Sequence, residues 1–290
     1  MDPEPARCAV LARALDEPQA GTAPVAPRWV CLEHRGAWPR DVGDHPDPTV
    51  AAFAARATAS GWRLLLIRRP GRRPADAAAR VYLTDTTPLV ARSTQLTVTG
   101  PADLAAVPLP AAGQRLPGDT VSGPLLMVCT HGRRDRCCAL DGRALALAVG
   151  AGDAGEGDVW ECSHLGGHRF APTALVLPTG YLYGRLDPSS AISARKAAGL
   201  GEMEAALCRG RSTWSPAGQV AELAVRAATG LRDADALTVV EGRGLSVHAR
   251  DGRRWTVDVE PADGPPRPAS CGAEAVVSRV LRATRVHRTD

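Results

Sequence analysis

Short apolar runs separated by glycine, proline and charged residues dominate the chain, the pattern of strands alternating with short helices. Trp29-Val-Cys31-Leu-Glu33 reads as a first strand. Thr49 is placed to cap a helix over 50–60, and Gly61 to stop it. Residues 62–67, 80–84 and 91–98 read as three further strands, followed by a helical turn at 102–106. Residues 107–123 are rich in Pro, Gly and Ala without a period and read as a linker. The same order then begins again. A strand at 125–128 leads to a helix over 141–149 that Gly150 stops, then to a strand at 158–161. Residues 174–177 and 181–183 flank Pro178-Thr-Gly180, a hairpin signal, and Asp187-Pro188 starts a helix over 189–198.

A βαβ unit followed by a hairpin and a helix is the outline of the thioredoxin fold. Its element order occurs twice without visible sequence repetition, so the pattern predicts an α/β protein with tandem thioredoxin-like units. The expected organisation is an N-terminal α/β domain over 1–120, a second such domain over 121–210, and a helix-plus-strand extension over 211–290. In the extension Ser215 caps a helix with Pro216 at its first position. Val220, Leu223, Ala224 and Ala227 form one apolar face of that helix before Gly230. Residues 237–240, 245–248 and 255–259 read as strands, the last two joined by Asp251-Gly252. Residues 261–268 look extended and irregular, and 274–284 is predicted to be a peripheral helix with a basic end.

Composition narrows the function classes. The 290 residues are 44% hydrophobic, as in a globular protein, and the formal charge of +4 is small for this length. Arginine supplies nearly all the basic residues (Lys196 is the only lysine), and aromatics make up 4% of the chain, too few for a stacking platform. No nucleic-acid partner is therefore expected. No apolar run reaches the ~18 residues of a membrane span, and the start of the chain is acidic and proline-rich without a signal pattern. A cytoplasmic protein without a membrane partner is expected, in which the eight cysteines are reduced or metal-bound.

Two segments stand apart from this background: Cys129-Thr-His-Gly-Arg-Arg-Asp-Arg-Cys137-Cys138 and Cys162-Ser-His164-Leu-Gly-Gly-His168-Arg-Phe. They offer thiols from one loop and imidazoles from another, the donor set of zinc or of iron–sulfur iron. Two adjacent glycines, each weakening a helix by ~1 kcal/mol relative to Ala, place His164 and His168 in a tight turn rather than on a helix. A zinc finger needs thiols two to four residues apart, which no cysteine pair here provides, although a non-finger zinc site stays open. A phosphatase loop would need arginine where Asp135 stands, and a Cys-x-x-Cys dithiol is absent. A Cys129–His131 nucleophilic pair lacks any recognisable substrate pocket.

Those runs, with Trp-Glu before Cys162, Ala-Pro after Phe170, and Tyr183-Gly-Arg185, resemble the sucrase/ferredoxin-like family, thioredoxin-like ferredoxins with bacterial members and fungal cytosolic relatives. Gly21-Thr-Ala-Pro24, residues 36–40 and Ser270-Cys-Gly272 extend the resemblance over most of the chain. It implies a [2Fe–2S] cluster held by Cys129, Cys138, His164 and His168. Fungal relatives space the two cysteines nine positions apart, which selects Cys138 over its neighbour Cys137; Cys137 and Cys162 are the alternates. His131 and Arg169 are expected beside the ligands. The implied function is one-electron transfer with an unidentified redox partner protein, zinc being the alternative metal.

Two neutral imidazoles in place of thiolates make such a cluster easier to reduce. Rieske centres lie at ~−150 to +300 mV, against ~−400 mV for plant-type ferredoxins. A ring that binds a proton more tightly on reduction would couple electron and proton uptake. The competing readings are a structural zinc or scaffold protein, and a sucrose-hydrolysing enzyme that would need two carboxylates ~5–10 Å apart, drawn from Glu156, Asp158 and Glu161.

Overall fold

The computed structural model describes residues 7–71, 78–151, 159–242 and 244–290. The first half comprises α1 (Cys8–Ala14), β1 (Arg28–Glu33), α2 (Pro48–Ala59), β2 (Arg63–Arg68), β3 (Ala79–Asp85), β4 (Arg92–Val98), α3 (Pro101–Ala106) and β5 (Asp119–Thr120). Next come β6 (Leu125–Cys129), α4 (Arg143–Gly150), β7 (Val159–Cys162), β8 (Ala174–Leu177), β9 (Tyr181–Tyr183), α5 (Pro188–Gly199) and β10 (Cys208–Arg211). The C-terminal part is α6 (Pro216–Thr229), β11 (Leu237–Glu241), β12 (Leu245–Ala249), β13 (Arg254–Pro268) and β14 (Ala275–Arg288). The architecture is mixed α/β. No helix among the described residues is long and apolar enough to cross a membrane.

Among the described residues the first ten strands form one sheet, in the order β10-β9-β8-β6-β7-β2-β1-β3-β4-β5. Within it the same arrangement occurs twice. β1 is parallel to β2 and antiparallel to β3, which pairs with β4; β6 is parallel to β7 and antiparallel to β8, which pairs with β9. The halves join back to back where β2 meets β7 antiparallel, through only Ile67↔Cys162 and Arg68↔Glu161. That short seam is reinforced by side chains. Arg68 Nε donates to Glu161 Oε2 at 2.7 Å, and the Ser163 hydroxyl accepts from Leu66 N at 3.0 Å.

The apolar runs are continuous because the strands are buried on both faces. Trp29, Cys31, Leu65, Ile67, Leu125, Met127, Cys129, Trp160 and Cys162 point to one face, where a single core crosses both halves. The alternate residues Val30, Leu32 and Leu66 pack with Val50, Phe53 and Ala57 of α2, while Leu126 and Val128 pack with Leu145, Ala146 and Val149 of α4. Cys129 and Cys162 are direct neighbours in the parallel β6–β7 ladder, so the strand ends deliver both Cys/His loops to one edge of this core.

Several boundaries are set by local chemistry. Asp47, not Thr49, caps α2: its carboxylate accepts from Thr49 N at 2.8 Å, and Pro48 takes the first turn. Asp187 caps α5 in a reciprocal box with Ser190, and Ser215 caps α6 by accepting from Gly218 N at 3.1 Å. The stretch 107–123, expected as linker, contributes β5 to the sheet edge beside β4. Asp158, expected to open the strand before Cys162, lies outside the described residues, as does Glu156.

The largest departure is at the C-terminus. Residues 274–284 are not a helix; Ala275–Arg288 is the strand β14, antiparallel to β13 along its length. The run is rich in β-branched residues (Val276, Val277, Val280, Thr284, Val286), and the ladder to β13 overrides its helix-compatible spacing. The proline-rich segment before it, expected to be irregular, is the far half of β13. Its prolines are tolerated because β12 pairs only with 254–257, leaving 258–268 in a two-stranded ribbon with one open edge. The tip of that ribbon, residues 269–274, returns to the ligand loops.

Candidate metal centre

Cys129 is the last residue of β6, and the chain turns through Thr130–Arg134 before a helical segment that starts at Arg136. Asp135 shapes that start. Its buried carboxylate accepts from Cys137 N at 2.8 Å, as an N-cap does. The next turn, Cys138–Gly142, is widened into a π segment, a feature that recurs at functional sites. Gly142 lets this turn rest on the strand end: a Cβ there would strike the Cys129 carbonyl oxygen and lie 3.1 Å from its carbon. Close approach brings the Cys138 thiol to the Cys129 thiol.

The second loop is built by two left-handed glycines. Gly166 (φ +82°) and Gly167 (φ +69°) turn the chain so that both imidazoles lie on the same side, His164 and His168 stacked with centroids 5.4 Å apart and 30° between planes. A Cβ on Gly167 would also collide with the guanidinium of Arg209. Arg209, on β10, is fully buried beneath the turn and donates to Gly166 O at 3.0 Å and to the Thr22 carbonyl and hydroxyl. Burial pulls its pKa down to about 9, and the nearby Cys129 and Cys138 oppose that shift. The strand that carries it has no apolar alternation (Cys-Arg-Gly-Arg), which is why sequence patterning passed over both strand and arginine.

The donor atoms of Cys129, Cys138 and His164 lie within 4.8 Å of one another, with Cys129 Sγ 3.9 Å from His164 Nδ1. A hydrogen bond from the Cys138 thiol, helped by His164, holds the Cys129 thiol well below its ordinary value despite burial. The same bond, with burial, pushes Cys138 up. His168 stands outside this tight group. Its Nε2 lies 2.8 Å from the Ala269 carbonyl and 3.8 Å from Asp135 Oδ2, while its buried Nδ1 has no hydrogen-bond partner. One ring nitrogen on a backbone carbonyl and the other unpartnered is the arrangement of a metal-ligating histidine. Such a group of Cys and His side chains can hold a metal ion.

The other candidate residues of the two loops fall around this set. Cys137 faces away from Cys129 and Cys138, towards Cys8 and Cys271. Cys162 sits on β7 beside Cys129, outside the tight group, its thiol pushed up by burial. His131 is buried edge-on to Trp38 with both ring nitrogens unpartnered, 6.5 Å between its centroid and that of His164; burial lowers its pKa. Arg169 is engaged elsewhere, donating to Glu17 Oε1 at 2.8 Å, and Glu17 also binds Arg267 of β13 at 2.5 Å. On the outer side of His164 a groove of about 720 Å³ opens, lined in part by Arg40, Arg63, His131 and Arg134.

A family model described as sucrase/ferredoxin-like matches residues 19–201. The chain belongs to the sucrase/ferredoxin-like family. No curated protein and no solved structure matches it. The matched span contains both Cys/His loops, and Arg209 and the β13–β14 ribbon tip, which press on the sucrase/ferredoxin-like core at the candidate metal centre, lie beyond its end.

Proposed function

We propose that this sucrase/ferredoxin-like protein is a one-electron carrier built from two thioredoxin-like units, the second of which holds a [2Fe–2S] cluster through Cys129, Cys138, His164 and His168. The observation that carries the reading is the unpartnered Nδ1 of His168, beside but outside the tight Cys129–Cys138–His164 group. A single tetrahedral ion needs all its donors within about 4 Å of each other, at Zn–S ~2.3 Å and Zn–N ~2.0 Å. With Cys129 Sγ and His164 Nδ1 3.9 Å apart, three of the donors already meet, and a [2Fe–2S] cluster would be held by these three with His168 as the fourth. The repeated strand order, β2-β1-β3-β4 and β7-β6-β8-β9, supports the thioredoxin-like reading of each half.

When bound, the cluster supplies the electron; the protein sets its potential, its protons and its access. Two neutral imidazoles place the potential above the ~−400 mV of all-cysteine plant-type clusters. Arg209 adds a buried positive charge near the thiolates, which favours the reduced state. His168 Nε2 lies 2.8 Å from the Ala269 carbonyl and 3.8 Å from the Asp135 carboxylate, contacts that fix the orientation of the ring. His164 lines the groove on the outer side of the site. The arginines of that groove suit an acidic redox partner.

Sugar hydrolysis has little support. Glu161 is buried and bound by Arg68 at 2.7 Å and by the Thr130 hydroxyl at 3.1 Å, a structural role at the β2–β7 seam. Anaerobic purification with iron and sulfide analysis tests the proposal. Two irons and two labile sulfides per chain are expected, with a paramagnetic signal on reduction. A colourless protein with zinc bound by Cys129, Cys138 and His164 would contradict it.

A further inference from the structure

Cys8, Cys137 and Cys271, distant in sequence, meet at one point. Cys8 comes from α1, Cys137 from the ligand loop and Cys271 from the tip of the β13–β14 ribbon. Their sulfurs stand 3.7 Å (Cys8–Cys137), 3.5 Å (Cys137–Cys271) and 3.7 Å (Cys8–Cys271) apart. Asp135 completes the set, its Oδ1 3.6 Å from Cys8 Sγ and 3.4 Å from Cys271 Sγ. All four donors lie within 4.8 Å of one another, and Cys8, Asp135 and Cys137 are buried.

We propose that Cys8, Cys137, Cys271 and Asp135 form a second metal site, a closed structural zinc site separate from the Cys129–Cys138–His164–His168 centre. The spacing is that of a mononuclear ion. With Zn–S ~2.3 Å, the edge of a tetrahedron between two sulfurs is about 3.8 Å; with Zn–O ~2.0 Å, an S–O edge is about 3.5 Å. The three sulfur–sulfur and two sulfur–oxygen distances all fall near these values. Thiols bound to different irons of a cluster would stand farther apart. A disulfide joins only two sulfurs, at ~2.05 Å, and would leave the third cysteine and the carboxylate without a purpose.

Charge points the same way. Asp135 Oδ1 accepts from Cys137 N at 2.8 Å and Oδ2 from Cys271 N at 2.9 Å, which turns an ionised carboxylate towards the three thiols and leaves each oxygen a lone pair for a cation. The Arg7 side chain at the edge of the cluster is already bound to Asp141. Soft thiolates select zinc over magnesium or calcium. Four protein ligands leave no open position, which marks a structural ion rather than a catalytic one. Cys137 and Cys138 are adjacent yet face opposite ways, so the same helical turn serves both centres. The zinc ion would pin α1 and the ribbon tip onto the ligand loop, with Asp135 between zinc and His168. Its binding free energy would then be folding free energy for these segments.

The test is metal analysis of the full chain purified anaerobically from zinc-supplemented cells, with iron and zinc counted separately. One zinc per chain is expected in the wild type. Cys8→Ala and Cys271→Ala should each lose it and keep the iron. Cys129→Ala and His164→Ala should lose the iron and keep the zinc, so this result stands or falls apart from the cluster proposal. Alkylation of wild-type protein, mapped by peptide mass, should find Cys8, Cys137 and Cys271 protected until a chelator is added, which serves if the variants do not fold. Folded wild type without zinc, zinc retained in Cys8→Ala and Cys271→Ala, or a two-hydrogen mass deficit from a disulfide among these thiols would each overturn the assignment.

Discussion

Gly142→Ala isolates the contact that brings the Cys129 and Cys138 thiols together. Gly142 has ordinary helical backbone angles (φ −66°, ψ −41°), so the substitution adds no backbone strain. In an open helical position the change would stabilise the protein by up to ~1 kcal/mol. Here the new Cβ would strike the Cys129 carbonyl, the backbone of a strand buried on both faces, which has no rotamer with which to retreat. Overpacking of that kind costs ~1–3 kcal/mol, and a backbone obstacle belongs at the upper end. The net effect should be a loss of about 2 kcal/mol. Gly199→Ala is the control, because its Cβ would meet only Pro124 carbons at 3.7 and 3.8 Å, ordinary contacts. That variant should gain ~0.5 kcal/mol. Urea unfolding of both variants reads the opposite signs directly. Iron content should fall in Gly142→Ala alone, since the turn can accommodate the methyl only by moving Cys138 from Cys129. Unchanged stability and full iron in Gly142→Ala would mean that the Gly142–Cys129 contact does not position Cys138.

The buried network under α6 makes a second prediction. Glu222 and Arg226 pair at 3.0 Å with both side chains fully buried, and Tyr181 OH donates to Glu222 at 2.5 Å. Glu222→Gln should cost about 3 kcal/mol, the lower end for a broken buried pair, because Arg226 keeps the carbonyls of Leu231, Asp233 and Ala234. Denaturation showing a loss under 1 kcal/mol would contradict this. A third concerns acid. Burial, then the facing His45, lowers the pKa of His34 below 6.5, so the folded state binds fewer protons than the unfolded one. The stabilisation is present above about 6.5 and lost as pH falls towards the folded value. His34→Gln should flatten the dependence of the urea midpoint on pH in that window; an unchanged profile would assign the effect elsewhere.

Much of the α/β order was legible because strands buried on both faces leave unbroken apolar runs, and because Asp187-Pro188 and Ser215-Pro216 mark helix starts locally. The Gly166-Gly167 turn was equally open to reading, since two glycines have few uses but left-handed backbone. What escaped was set by partners distant in the chain. Nothing local to 274–284 announces β13 as its partner, so helix-compatible spacing misled. The strand carrying Arg209 lacks alternation, and the arginine matters only because Gly166 and Thr22 fold over it. That Cys8 and Cys271 lie together is visible only in the fold, where α1 and the ribbon tip meet at Cys137. Adjacent cysteines facing opposite ways follow from the helical turn that begins after Asp135, which spacing alone does not reveal.

In the proposed function, two thiolates and two imidazoles hold the iron. Pulsed electron paramagnetic resonance on the reduced protein, grown with nitrogen-15 histidine, tests it most directly. Two histidine nitrogens strongly coupled to the electron spin are expected, one of them lost in His164→Cys and the other in His168→Cys. A reduced cluster whose spin couples to no histidine nitrogen would contradict it.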